Sequence, residues 1–455
     1  MNKIQKIITL PKLLFVCFLF VGNLASQLFS IATVSTALFL ASSQVYAQNV
    51  DGDDEEDDDT ITTTTTPAPV PPPPVVANNP NSVIVGKNTQ PQWATVFATD
   101  PDNPSTTNDT QQYVYDTPVT AYVLMPKVAM ELGFSTLDTL HERRGENQIL
   151  SWERCDTCRD EEQVDGQTWV KAWGKTLSLD GKKRLDFATK MYGIKVGHDF
   201  SIKKDDKGGH SLTGLYLAYG RANSKFYDQY YAEQNGAGQY ILQSSKYTGK
   251  GRSELYALGL THTRYHVNGG YLDLVGQLHW LRGYSVDNQG EKTNKQRGKG
   301  FALSAEVGKP FELKELNERQ SAWFIEPQAQ LIYQYIDFDH FADANRIIAP
   351  DSVSAVRGRL GVRLAHNRLT KDDKTRTLYA IANIWHNFNT NHSVRIGTEK
   401  LSEKYANTWG EVGVGLQRAL GKQTYLYGDV RYEFSFKNHA YEAYRGTIGV
   451  KYTWQ

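Results

Sequence analysis

Cysteine is scarce: the 455 residues hold three, and Cys17 lies so early that only Cys155 and Cys158 belong to the chain beyond its first fifty residues. That excludes a disulfide-stapled scaffold, because one such pair closes a single local loop. Long apolar runs are missing as well. Past residue 50 no stretch reaches the roughly 20 consecutive apolar residues of a bilayer-crossing helix. If the chain spans a membrane, it does so as a closed barrel, the other structure that satisfies every backbone group in lipid. Charge of one sign is lacking too: Lys plus Arg number 50 and Asp plus Glu 50. Residues 1–59 carry −5 and the remainder +5, with no basic stripe of the kind a nucleic-acid partner requires. No rung repeat is present, so a long β-helix is absent. No nucleophile motif, phosphate loop or cofactor pattern stands out, and the chain reads as a non-enzyme.

What is present is alternation. In Phe324 to Tyr335, one face carries Ile325, Pro327, Ala329, Leu331, Tyr333 and Tyr335 and the other Glu326, Gln328, Gln330 and Gln334. The next run sets Val356, Gly358, Leu360 and Val362 against Arg357, Arg359 and Arg363; a later one sets Leu426, Val430, Tyr432 and Phe434 against Tyr427, Asp429, Arg431 and Glu433. The last places Ile448, Val450, Tyr452 and Trp454 opposite Thr447, Gly449, Lys451 and Thr453. A period of two with an apolar, aromatic-rich outer face and a polar inner face is the pattern of a membrane barrel with interfacial girdles. About twelve such runs follow Gly166. Long polar connections fall after the third, fifth, seventh and ninth (224–251, 286–300, 337–351, 389–407), and tight turns after the fourth and tenth. Sorting of loops by parity predicts an even-numbered, twelve-stranded antiparallel outer-membrane β-barrel over residues 166–455.

Ahead of the barrel, residues 1–47 read as an export signal: Lys3, Lys6 and Lys12, an apolar stretch from Leu13, then Val45-Tyr46-Ala47 before Gln48, with an uncleaved membrane anchor as the alternative. Residues 48–120 begin with the acidic run 51–59, a threonine run 62–66 and a proline-rich stretch 67–74, which together cannot collapse into a core and predict a short, disordered passenger or linker. The acidic run lacks the spaced ligands and turn glycine of a calcium loop. Residues 121–165 form a junction. There Val128, Leu132, Leu137 and Leu140 among Lys127, Glu131, Asp138, Glu142, Arg143 and Arg144 predict a helix from Pro126, weakened by Gly133, that packs outside the barrel or threads its lumen. Cys155 and Cys158 fit a local disulfide better than a zinc site, which needs four ligands. His262 and His266 share a strand face without an identifiable third ligand, and a girdle role suits them better than a metal.

Several stretches resemble one known family. Ala121 to Pro126, Leu140 to Glu146 and Trp152-Glu153-Arg154 resemble the junction that opens an autotransporter (type V secretion) translocator domain. Phe324 to Leu331, Arg357 to Leu364, Trp385 to Phe388 and Gly446 to Trp454 are similar to its later strands. The resemblance covers about three quarters of the chain. It implies a helix inside the pore, export of the segment before that helix, and a terminal strand whose Tyr452 and Trp454 form the signal read by the barrel-assembly machinery, with periplasmic chaperones as earlier partners. Here Gln455 follows Trp454, and the passenger is short. Some members cleave their passenger with a helix asparagine; none occurs from Pro126 to Gly145, so the passenger is expected to stay attached.

The candidate lumen charges Glu326, Arg357, Arg359, Arg363, Asp429, Arg431 and Glu433 are expected to pair and grip a plug rather than to catalyse. The functional expectation is a monomeric barrel in outer-membrane lipid, its N-terminal segment and long loops on the cell surface. The alternative is an adhesin whose long loops contact a host surface ligand, above all the segment 226–247 with Tyr227, Tyr230, Tyr231, Tyr240 and Tyr247.

Overall fold

The computed structural model describes residues 92–99, 107–145 and 166–454, except 205–208, 235, 238–239, 291, 294, 314–320, 344–346, 370–374, 390–391, 398, 422 and 437–439. The stretch 1–47 read as an export signal, the acidic and proline-rich stretch, and Cys155 and Cys158 lie outside the described residues. No described helix is long and apolar enough to cross a membrane.

Twelve long strands carry the fold: β1 (Gly166–Leu179), β2 (Leu185–Lys204), β3 (His210–Asp228), β4 (Tyr247–Tyr265), β5 (Tyr271–Asp287), β6 (Gln296–Gly308), β7 (Ser321–Phe338), β8 (Val353–Leu369), β9 (Thr375–Asn389), β10 (Thr408–Ala419), β11 (Thr424–Ser435) and β12 (Tyr441–Trp454). Each pairs antiparallel with the next, and β12 returns to β1 from Tyr441↔Leu179 to Trp454↔Gly166, so the sheet closes with no free edge. Closure matters in lipid, where an unpaired strand edge has no water to bond. Long connections follow β3, β5, β7 and β9 at one rim, and the β4–β5 and β10–β11 turns are short at the other, as their parity predicts.

Alternation decides which face is which. Along β7 the side chains of Glu326, Gln328, Gln330 and Gln334 are buried in the lumen while Ile325 and Leu331 are exposed on the outer wall. The same holds for Arg357, Arg359 and Arg363 against Leu360 and Val362 on β8.

Inside the lumen, rings lie on glycines of the neighbouring strand. Tyr216 of β3 faces Gly259 of β4 in register, and a methyl group added at Gly259 would meet the ring Cζ at 2.1 Å. Tyr216 is itself held by a hydrogen bond to Gln277 (2.7 Å) and by the Lys195 ammonium 4.5 Å from its ring centre. Gly259→Ala is therefore expected to cost about 1–3 kcal/mol, the usual range for overpacking. The assembled, heat-modifiable fraction on gels should fall, and adding Tyr216→Ala should restore part of it. An unchanged melting profile for Gly259→Ala would refute the argument.

Two helices precede the barrel and lie in its lumen. Helix α1 (Thr117–Ser135) starts nine residues before Pro126, which corrects the sequence reading: Pro118 occupies the first turn and Pro126 sits inside the helix. An internal proline removes a hydrogen bond and costs ~3 kcal/mol in an isolated helix. Here all but one of the residues are buried, so tertiary contacts decide. Gly133 also has a use that propensity hides: the Gln334 side chain lies against it and donates to the Met130 carbonyl at 3.1 Å. Helix α2 (Leu140–Arg144) opens with a capping box between Thr139 and Glu142 and ends on Gly145 at φ 68°.

The linker is less featureless than its composition suggests. Segments Gln92–Thr99 and Thr107–Val114 pair as an antiparallel hairpin, and Val96 and Phe97 align parallel with Tyr240 and Ile241 of the β3–β4 loop. The hairpin pairing is local, whereas its docking on the β3–β4 loop joins residues distant in sequence, which local periodicity does not reveal.

Candidate functional site: a gripped plug in the lumen

The path of the chain through the barrel follows from the contacts of its helices. Thr117 at the start of α1 donates to Asp287, the last residue of β5, at 2.8 Å, and Tyr122 donates to Asp343 of the β7–β8 loop at 2.8 Å. Both acceptors belong to the long-loop rim. At the other end Leu140 packs with Leu212, Tyr265 and Tyr271, beside the short β4–β5 turn. Thus the chain runs from the long-loop rim, through the lumen, to the short-turn rim, where β1 begins.

Charge holds it there. Asp138, between the helices and fully buried, is paired with Lys171 of β1, Lys195 of β2 at 2.6 Å and Arg445 of β12 at 3.0 Å. Arg143 forks onto Asp273 of β5 with bonds of 3.0 and 2.6 Å, and Asp273 also accepts from Thr263. Arg144 pairs with Asp199. Glu142 lies 3.0 Å from Arg445 and 3.6 Å from Arg431. Within α1, Glu131 accepts from Lys127 and from Arg357, each at 2.8 Å, and the Arg357 guanidinium covers the Phe134 ring at 3.8 Å. Ion pairs in so dry a place are weak evidence for stability as such, yet costly to break singly, so they fix one arrangement of plug and wall.

The sequence-predicted lumen residues divide by contact. Glu326 and Arg357 touch the plug directly, Glu326 through His141 at 2.8 Å, and Arg431 reaches Glu142. Arg363 supports Glu326 at 3.3 Å. Arg359 pairs with Glu306 at 3.1 Å, and Glu306 accepts the Leu140 backbone N–H at 3.0 Å. Asp429 braces Arg431 at 2.6 Å, while Glu433 binds Lys175 at 2.8 Å and takes bonds from Trp409 and Tyr441. Reading the sequence missed Lys171, Lys195, Asp199, Asp273 and Arg445. Their signal was inward parity on strands, weaker to see where one charge stands alone among apolar neighbours.

Between Phe134, Glu142, Arg357 and Arg431 the lumen keeps a cavity of about 20 Å³, little more than the space of a water. Among the described residues no group of three or more His, Cys, Asp or Glu is placed to hold a metal. His262 is exposed on the outer wall, bonded to Thr213 at 2.9 Å, and His266 belongs to the turn after β4. Tyr452 and Trp454 also face outward at the short-turn rim, bonded to Gln423 (2.7 Å) and Thr168 (2.8 Å).

The long-loop mouth is covered by the chain itself. Segments Phe341–Ala342, Ile347–Pro350, Val394–Ile396 and Glu399–Leu401 form a small antiparallel sheet from the β7–β8 and β9–β10 loops, and buried Ile348, Val394 and Ile396 join the core around α1. Glu403 then straps the β9–β10 loop to the β1–β2 loop, accepting backbone N–H bonds from Lys183 (2.8 Å), Arg184 (2.9 Å) and Leu185 (2.9 Å). Hydrogen bonds to a charged group contribute about 1.5–3 kcal/mol each. Glu403→Ala should make the β9–β10 loop the first site cut by added protease, at a rate raised ~10-fold or more; an unchanged cleavage rate would show the strap to be idle. Four tyrosines of the 226–247 segment make contacts within the barrel itself. Tyr231 bonds Asn288 at 2.6 Å, Tyr230 lies against Arg184 at 5.2 Å, and Tyr227 meets Tyr247 edge-on at 6.0 Å.

A family model described as autotransporter beta-domain matches residues 168–431. The uncharacterized protein YuaQ of Escherichia coli is 27% identical over 69% of this chain and 22% of its own length. The adhesin BmaC autotransporter of Brucella suis is 24% identical over 78% of this chain and 10% of its own length. The uncharacterized protein YdeU of Escherichia coli is 24% identical over 69% of this chain and 65% of its own length, so the chain spans less than two thirds of each of these relatives. Among solved structures, the transport unit of the autotransporter AIDA-I from Escherichia coli superposes with a TM-score of 0.57 at 16% identity, covering 75% of this chain and all of that one.

Proposed function

Because this chain belongs to the autotransporter β-domain family, and is thus an outer-membrane barrel, we propose that it exports its own N-terminal segment and displays it on the cell surface. One observation carries the reading. The helix enters the lumen from the long-loop rim, and the hairpin before it, Gln92–Thr99 with Thr107–Val114, is laid along the β3–β4 loop at that rim, Val96 and Phe97 in register with Tyr240 and Ile241. That position of the hairpin at the long-loop rim supports carriage of the N-terminal segment through the barrel.

The lumen charges in this reading anchor the spent helix and perform no chemistry. Tyr452 and Trp454 serve as the strand-end signal for the assembly machinery, met after periplasmic chaperones, and the barrel acts as a monomer. Contact with a host ligand would be a consequence of display through the N-terminal segment, since the loop tyrosines are already engaged.

The test is protease treatment of intact cells carrying a tag after Val76, beside a periplasmic control. Loss of the tag with the control spared is the expected result. A tag protected until the outer membrane is opened would overturn the proposal.

A further inference from the structure

At the long-loop rim the outer wall of the barrel carries cations on one side only. Near the long-loop rim, strands β2 to β6 project eight cations outward, six of them without an ion pair among the described residues: Lys190, Lys225, Lys250, Arg252, Arg297 and Lys299. The other two are Arg221, which lies 6.0 Å from the Tyr192 ring centre, and Arg282. Three carboxylates lie among or beside them: Glu254 is bonded to Arg282 at 2.6 Å, Asp186 of β2 accepts from the Gly181 N–H at 2.7 Å and from Gln229 at 3.3 Å, and Asp337 of β7 stands opposite Lys299 in register and accepts from Ser352 at 2.8 Å. At the same height, the outward positions of β7 to β12 and of β1 hold residues such as Ser354, Phe388, Thr408, Phe434 and Tyr444, and no Lys or Arg.

Strand register makes this arrangement unfavourable by itself. Lys225 stands directly opposite Lys250, and Arg282 directly opposite Arg297. Like charges across a strand pair repel, so the sheet gives up stability to hold them. The position says what offsets that. The cations sit level with or just above an aromatic row in which Tyr192, Tyr219, Tyr256 and Trp280 face outward, and such a row marks the headgroup level of the membrane. Arginine forks and lysine ammonium groups at that level suit phosphate oxygens.

The geometry points to a lateral docking surface on β2–β6 for a phosphorylated glycolipid of the outer leaflet, whose phosphates lie between the two like-charged strand pairs. This rests on the long-loop rim facing the cell exterior. The lipid assay below is read on purified protein, so it stands or falls separately from export of the N-terminal segment.

The experiment compares the purified full-length protein with the fourfold variant Lys250→Gln, Arg252→Gln, Arg297→Gln, Lys299→Gln, and with a control that removes three cations of the other rim, Arg368→Gln, Arg376→Gln, Arg418→Gln. Assembly of each is verified by heat-modifiable migration. Each is loaded with bis-phosphorylated lipid A, the same glycolipid after enzymatic dephosphorylation, or phosphatidylglycerol, washed in detergent and weighed by native mass spectrometry. The native and control proteins should retain bis-phosphorylated lipid A about 10-fold or more above the fourfold variant, and above the dephosphorylated form by a similar factor. Equal retention by native protein and fourfold variant overturns the proposal, as does an equal loss in the control. Preferential retention of phosphatidylglycerol, or release by millimolar inorganic phosphate alone, overturns the choice of a glycolipid. If the fourfold variant does not assemble, Lys250→Gln with Arg252→Gln is read by the same outcomes.

Discussion

Replacing Asp138 by Leu should convert a closed barrel into a conducting one. Its carboxylate is fully buried and is the shared partner of Lys171, Lys195 and Arg445, which come from three different strands. Removing one member of a buried pair costs about 3–5 kcal/mol, because the other is left charged and dry. Here three cations lose the same partner, and water is the solvent that relieves them. The state that admits water is the one with the segment around α2 displaced. At ~1.4 kcal/mol per tenfold, the open fraction should rise by at least two orders of magnitude. Single-channel recording in planar bilayers reads this directly: the native protein should be silent or open rarely, and Asp138→Leu should conduct steadily. A variant that migrates as a folded barrel and stays closed would show that the helices are held by shape rather than charge.

The mirror-image variant is expected to have the second largest effect. Arg431 lies 2.6 Å from Asp429, 3.3 Å from Glu411 and 3.6 Å from Glu142, three carboxylates of which Glu142 alone belongs to the plug. Arg431→Met leaves all three facing one another, so the repulsion pushes Glu142 and its helix from the wall. Loss of ~3–5 kcal/mol in unfolding experiments is expected, with leak currents resembling those of the Asp138 variant. Adding Glu142→Gln should recover part of the loss, since it removes the carboxylate that belongs to the plug. Strict additivity of the two substitutions in a double-mutant cycle would show that they do not interact across the interface, contrary to the geometry.

Both variants test a feature that is partly legible in the sequence. Parity alone placed Arg357, Arg359, Arg363 and Arg431 inside, since a one-residue slip would put each guanidinium into lipid. The acidic and basic residues of 127–144 were likewise visible as a polar set. Which wall charge meets which plug charge was not visible. Asp138 gathers Lys171, Lys195 and Arg445, the last of them 307 residues away in sequence, and nothing local encodes that encounter. The start of α1 was misjudged for a related reason. Pro126 is a first-turn residue by local rules, and only burial in the lumen makes it acceptable within a helix.

By itself, then, the sequence determined what a period of two and loop length determine: an antiparallel membrane barrel of twelve strands, its inner and outer faces, and its two unlike rims. Those properties follow from each residue's relation to its near neighbours. Tertiary structure decided the direction of the helix through the lumen, the partners that hold it, the loop sheet over the mouth, and the one-sided belt of cations on the outer wall. The grip on the helix depends on closing the sheet, because closure brings β12 beside β1 and so brings Arg445 and Lys171 to the one carboxylate of Asp138, while the loop sheet and the cation belt depend on the register between neighbouring hairpins.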